Sequence, residues 1–187
     1  SSANYINRFP FNKFSKITKV TIPNTVTSLV SNCFTTCSSL REIIVPDSVN
    51  NIGNGAFYKC SSLIEFTIPS SVTFVGKNTF NDCSSLTKIT IPASVKSISF
   101  NAFLKCISLR QVVIPNSVTS IGPNCFSGCS SLSQIDIPNS VKAIGESCFN
   151  GCVSLSEVIV PYSVNSIGQN AFYECRSLTK VIIYGSL

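Results

Sequence analysis

The chain has 187 residues, of which 44% are apolar and only 12% are charged, and its formal net charge is +6. This apolar content is enough to build a buried core. The lysines and arginines are scattered and form no basic stripe, which argues against nucleic-acid binding. No apolar run approaches the roughly 18 residues that a membrane span needs. Because histidine is absent and the carboxylates are dispersed, we expect no enzymatic activity and no cofactor.

A 23-residue repeat organises almost the whole sequence. The unit reads L-x-x-I-x-I-P-x-S-V-x-x-I-G-x-x-A-F-x-x-C-x-S and recurs without insertion or deletion. A unit this short cannot enclose its own core, so neighbouring units must stack. We therefore predict a single solenoid domain over 1–187. Within it we expect a degenerate N-terminal unit over 1–36, 23-residue units to about 178 and a C-terminal closing strand over 179–187.

The first element of each unit is predicted to be a short strand. In 41–46, Ile43 and Val45 alternate with Glu42 and Ile44, which is the period of two that a half-buried strand shows. Copies of one strand joined by a constant crossover must run parallel, because a hairpin link is excluded by length. The proline that follows ends each strand, since it has no N–H for the next rung.

The rest of the unit is predicted to return toward the core. Val49 turns inward, and Gly53 indicates a tight turn with unusual backbone angles. Ala56, Phe57 and Cys60 have the i, i+1, i+4 spacing of one face of a short helical turn. The predicted fold class is an α/β repeat: a solenoid with one parallel sheet of about eight strands on one face and short helical segments on the other.

The string IPxSVxxIGxxAFxxCxSL resembles the leucine-rich repeats of the BspA-like class over nearly the whole chain. That family comprises cell-surface or secreted proteins of anaerobic bacteria and parasitic protists, associated with adhesion to host matrix proteins and with immune recognition. The resemblance implies a non-enzymatic protein-binding module, a fragment of a cell-surface adhesin that binds host matrix or cell-surface proteins. The alternative is an intracellular scaffold or spacer domain of a larger protein.

The location of the protein is predicted from the same resemblance. The start, SSANYINRFP, has no basic segment followed by an apolar one, and the sequence contains no methionine. We therefore expect any targeting signal to lie outside this sequence. The cell surface or secretion is the predicted location, and the cytoplasm is the alternative.

The ten cysteines allow three interpretations. Seven recur once per unit, and their parallel Cβ vectors are poor geometry for disulfides, so a ladder of buried, reduced thiols is favoured. Cys125, Cys129, Cys148 and Cys152 spell C-x3-C-x18-C-x3-C, which is superficially a zinc site. However, Cys125 and Cys148 occupy a position that is alanine or threonine in other units. That position needs a small buried side chain, so we assign no metal ligands.

The candidate binding residues are the strand positions that differ between units. Fixed positions are those that stacking requires, so information for a partner must lie where the copies vary. Two variable positions project outward by strand alternation, and a third lies at the start of the strand. The alternative is that these positions form a solvent-exposed surface without a binding role, since single exposed aliphatic side chains are common. The predicted binding residues are Arg41, Glu42, Ile44, Glu65, Lys88, Arg110, Gln111, Val113, Gln134, Asp136, Glu157 and Ile159. We expect a protein partner, without nucleic acid or membrane insertion, and leave the oligomeric state open.

Overall fold

One strand per unit forms the front of the molecule. The computed structural model describes residues 5–6 and 16–185. The degenerate N-terminal unit predicted over 1–36 therefore lies partly outside the described residues. The predicted strands are confirmed, and where a strand has three residues its middle residue points toward the core while its two neighbours face outward. They are β2 (Lys19–Thr21), β4 (Glu42–Ile44), β6 (Glu65–Thr67), β8 (Lys88–Thr90), β10 (Gln111–Val113), β12 (Gln134–Asp136), β14 (Glu157–Val160) and β16 (Lys180–Ile183).

A second series of strands, which the sequence did not predict, includes one strand after each repeat proline from Pro23 to Pro161. Every member has only two residues, and its second residue packs into the core wherever burial is described, as Ile52 does. These strands are β1 (Tyr5–Ile6), β3 (Ser28–Leu29), β5 (Asn51–Ile52), β7 (Phe74–Val75), β9 (Ser97–Ile98), β11 (Ser120–Ile121), β13 (Ala143–Ile144) and β15 (Ser166–Ile167). The solenoid therefore has two series of parallel strands, where one sheet was predicted.

All strand pairs of the described residues are parallel and keep the 23-residue register of the repeat. The front series is nevertheless interrupted twice. It forms the sheets β2-β4, β6-β8 and β10-β12-β14-β16, so β4 is not paired with β6, nor β8 with β10. The second series divides into β1-β3-β5 and β7-β9-β11-β13-β15.

The back of each unit consists of turns, which corrects the prediction of short helical segments. Within residues 16–185 no helix is present. Two positions per unit have φ between 51° and 72°, which breaks the helical pattern of backbone bonds. Ala56 N–H donates within its unit to Gly53 O (3.2 Å), whereas Phe57 N–H donates to Thr79 O of the next unit (2.9 Å). The burial predicted for Ala56, Phe57 and Cys60 is confirmed.

Gly53 is needed for close packing and not for an unusual backbone angle. Its φ is not positive, which agrees with the presence of Val30 and Ser99 at the same repeat position of other units. A Cβ atom built there would lie 2.3 Å from the backbone N of Ser31 and 2.7 Å from the carbonyl carbon of Val30. The preceding unit therefore leaves no room for a side chain at this position.

A ladder of phenylalanine rings fills the centre of the core. The rings lie nearly parallel, with centroids 5.3–5.5 Å apart. Because each ring from Phe57 to Phe149 contacts the rings of both neighbouring units, burial is continuous along the stack. The ladder comprises Phe34, Phe57, Phe80, Phe103, Phe126, Phe149 and Phe172.

Candidate binding face

The outward side chains of the front strands form one broad surface, which we call the sheet face. All twelve predicted binding residues lie on it; Glu157 is half-buried and the others are exposed. The strand register aligns them across units: Gln111 lies opposite Gln134, and Asp136 lies opposite both Val113 and Ile159. The structure thus brings these residues together, and their role in binding stays a prediction.

Two of the predicted acidic residues are already neutralised by neighbouring strands. Lys19 Nζ lies 2.9 Å from Glu42 Oε1, and Lys180 Nζ lies 2.8 Å from Glu157 Oε1. Such exposed pairs contribute only about 0–1 kcal/mol to folding. Their consequence for binding is that Glu42 and Glu157 offer less uncompensated charge than the sequence indicates.

The remaining charges of the sheet face have no such partner. Across residues 16–185, no ion pair within 4.0 Å involves any of them. They are free to interact with a bound molecule, and three of them lie on the consecutive strands β8, β10 and β12 or at their start. The charged residues of the sheet face without an ion-pair partner are Arg41, Glu65, Lys88, Arg110 and Asp136.

Two shallow grooves cross the sheet face, and each lies where the front series is interrupted. The first groove, about 500 Å³, runs between β4 and β6 and is lined by Arg41, Glu42, Ile43, Ile44, Val45, Ile64, Glu65, Phe66 and Thr67. The second groove, about 480 Å³, runs between β8 and β10 and is lined by Thr87, Lys88, Ile89, Thr90, Ile91, Arg110, Gln111 and Val113.

Exposed aliphatic side chains accompany the charges on the sheet face. Val113 is 69% exposed, Ile44 48%, Ile64 43% and Ile159 41%. Ile64 was not among the predicted binding residues, although it occupies the same repeat position as Arg41 and Arg110. That shared position was the signal that could have identified it.

The cysteines are part of the core and offer no reactive site. All ten are buried, and the Cys106 thiol donates a hydrogen bond to Phe80 O at 3.1 Å, a contact that recurs between neighbouring units. Burial raises the pKa of Cys33 and Cys129 to about 12, and so keeps both thiols protonated and poorly nucleophilic. In the described part of the chain, no cluster of three or more histidine, cysteine or acidic residues has a geometry that could hold a metal ion. Nor does any helix there have the length and hydropathy to cross a bilayer.

The 23-residue turn, the in-register parallel strands and the leucine position define a leucine-rich-repeat solenoid. The family model described as BspA type leucine-rich repeat region (6 copies) matches residues 4–133 and 74–187. The chain therefore belongs to the BspA-type leucine-rich repeat family, as its repeat unit predicted.

Three solved structures are similar to this chain over most of its length. A leucine-rich repeat protein of Bacteroides ovatus is 28% identical, with a TM-score of 0.71, and the match covers 97% of this chain and 59% of that one. The T. pallidum leucine-rich repeat protein is 30% identical, with a TM-score of 0.69, and the match covers 89% and 70%. A leucine-rich repeat protein of Eubacterium ventriosum is 29% identical, with a TM-score of 0.81, and the match covers 91% and 46%. This chain thus spans only part of each relative's length. No curated protein matches the sequence.

Proposed function

We propose that the chain is a non-enzymatic protein-binding module whose sheet face contacts the partner, within a cell-surface adhesin that binds host matrix or cell-surface proteins. The observation that carries the proposal is the combination of unpaired charges with exposed aliphatic side chains on one continuous face. Solenoids use extended faces of this kind for recognition. A partner that covers Val113 and Ile44 would bury apolar side chains that otherwise face solvent.

Membership of the BspA-type family supports the adhesin part of the proposal, together with a location at the cell surface or outside the cell. A second candidate function is an intracellular scaffold or spacer domain. The observation that favours it is the set of ten buried thiols, since reduced cysteines are typical of reducing compartments. Antibody labelling of intact and permeabilised source cells distinguishes the two: labelling only after permeabilisation would support the scaffold.

The test of the binding face compares variants on opposite sides of the solenoid. In the face variant, Arg110, Gln111 and Val113 are replaced together by serine. The matched control replaces Lys59 and Lys105, which are exposed on the turn side, by glutamine. Binding to a surface coated with extracellular-matrix proteins is measured for both variants, alongside thermal melting.

We expect the face variant to lose binding at an unchanged melting temperature, because its three side chains lie outside the core. The control should bind as the parent does. Loss of binding in the control, with the face variant unaffected, would show that the partner uses the turn side.

A further inference from the structure

The two grooves of the sheet face differ in chemistry. In the first groove, the opposite charges of Arg41 and Glu65 offset each other, Glu42 is paired with Lys19, and Ile44 and Ile64 present apolar surface. Together these residues form a nearly neutral depression that suits an apolar side chain.

The second groove carries uncompensated positive charge. Lys88 and Arg110 line it without any acidic residue in the lining, and no ion pair in residues 16–185 involves either one. Glu65 lies opposite Lys88 in the strand register, yet the two make no ion pair. A guanidinium and an ammonium on either side of a groove suit a carboxylate, which can accept hydrogen bonds from both.

The distance between the grooves sets the spacing of the groups that could fill them. They are separated by two strand positions of roughly 4.8 Å each, or about 10 Å. An extended peptide in the polyproline II conformation has three residues per turn and advances roughly 3.1 Å per residue, so side chains three positions apart point the same way and lie about 9 Å apart. A segment that crosses the strands could therefore occupy both grooves.

We propose, on the basis of the proposed function, that the sheet face binds an extended segment of a protein partner. This segment places an apolar residue in the first groove and an acidic residue, three positions away, in the second groove. A sulfated glycan suits this surface less well. Only two cations meet in the second groove, Val113 beside them is 69% exposed, and Asp136 lies in register with Val113. A polyanion would meet that carboxylate and an apolar side chain where a dense row of cations would be needed.

The probe is a library of random 12-residue peptides displayed on phage and selected on the intact protein. Enriched peptides are synthesised, and their affinities are measured by fluorescence anisotropy for the parent and for variants with unchanged melting temperature. The variants are Lys88→Gln with Arg110→Gln, Ile44→Ser with Ile64→Ser, and, as the turn-side control, Lys59→Gln with Lys105→Gln. Heparin is tested in parallel.

We expect enriched peptides to share an apolar and an acidic residue three positions apart. The Lys88/Arg110 variant should bind them about tenfold more weakly, and so should the Ile44/Ile64 variant, while the control should be unchanged. Replacing the peptide's acid by its amide should weaken binding to the parent but not to the Lys88/Arg110 variant. That non-additivity identifies the carboxylate as the group those cations contact.

Enriched peptides without an acidic residue, or an affinity that Lys88→Gln with Arg110→Gln leaves unchanged, would overturn the inference. Heparin binding that requires Lys88 and Arg110, without peptide binding, would also overturn it and identify a sulfated glycan as the ligand. The matrix assay separates this inference from the proposed function. If the Arg110/Gln111/Val113 variant loses matrix binding while the two groove variants retain it, only the inference fails. If all of them retain it, the proposed function fails as well.

Discussion

Phe103→Ala tests whether the phenylalanine ladder holds the stack together. The side chain is 0% exposed, and its ring stacks on Phe80 at 5.4 Å and on Phe126 at 5.3 Å between centroids. Substitution removes a ring from the middle of the core and leaves a cavity bounded by two neighbouring units. Neither neighbour can collapse into it without disturbing its own register.

The expected loss lies at the upper end of the range for such changes. Phe→Ala in a core costs about 3–5 kcal/mol in total, and because a stacked aromatic pair is worth about 0.5–1.5 kcal/mol beyond its buried area, a ring with stacked neighbours belongs in the upper part of that range. With two stacked neighbours, we expect about 4–5 kcal/mol. For a chain of this size, that lowers Tm by about 8–20 °C.

The matched control is Phe172→Ala, near the end of the ladder. Phe172 is only half-buried, and among the described residues its ring stacks on Phe149 alone, at 5.4 Å. We expect a loss of about 2 kcal/mol or less. Denaturant unfolding followed by circular dichroism measures both. Equal losses, or a Phe103→Ala protein that melts within a degree or two of the parent, would refute the assignment of the ladder as the centre of stability.

Four further predictions concern the thiols and the turns. Thiol reagents should react slowly with the folded protein, because all ten cysteines are buried. In denaturant without reductant, the same reagents should find nearly ten free thiols. Eight or more half-cystines would contradict the prediction of buried, reduced cysteines. Burial raises the pKa of Cys33 and Cys129 to about 12, above the usual 8.5 or so. As the pH rises, the unfolded chain therefore loses these protons before the folded chain does. The free energy of unfolding should be highest below about pH 8.5 and should fall by about 1.4 kcal/mol per pH unit for each such thiol up to about pH 12. A free energy of unfolding that stays constant between about pH 8.5 and 10.5 would contradict this prediction. Lys105→Gly should stabilise by about 0.5–1 kcal/mol in urea unfolding, because Lys105 has φ 58° and the left-handed cost of about 1–2 kcal/mol exceeds the entropy that glycine adds to the unfolded chain. Gly145→Ala should destabilise by about 1–3 kcal/mol or more, because its Cβ would lie 2.4 Å from the backbone N of Pro123, and an unchanged urea midpoint would argue against that close approach.

The register of the front strands could be predicted because two periods fix it together. The 23-residue spacing places each strand beside its copy, and the alternation of Glu42, Ile43 and Ile44 decides which side chains face the core. The orientation of the candidate site followed from the same argument. The interruptions of the sheet could not be predicted, because the same residue pattern occurs at strands that are paired and at strands that are not.

The second strands and the turns escaped prediction for different reasons. A strand of two residues, such as Asn51–Ile52, is too short to show alternation. In the turns, the i, i+1, i+4 spacing of buried residues fits a helix and a chain of turns equally well. Only the positive φ values distinguish them, and residues such as Lys59 and Glu174 at those positions hide the signal that glycine would have given.

The recurring polar residues show why the sheet face is available for binding. The Ser94 hydroxyl donates to Val72 O at 2.6 Å, and the Cys106 thiol donates to Phe80 O at 3.1 Å, so each joins its unit to the one before. The hydroxyl bond recurs at Ser117 and Ser140, and the thiol bond recurs at Cys60 and Cys129, so these polar groups join successive units along the stack. Outward residues such as Arg110 and Val113 lie outside the core and outside these bonds. Their replacement leaves the joints between units intact, so recognition can change from unit to unit without loss of the fold. This separation is what allows variants of the face to report on binding alone.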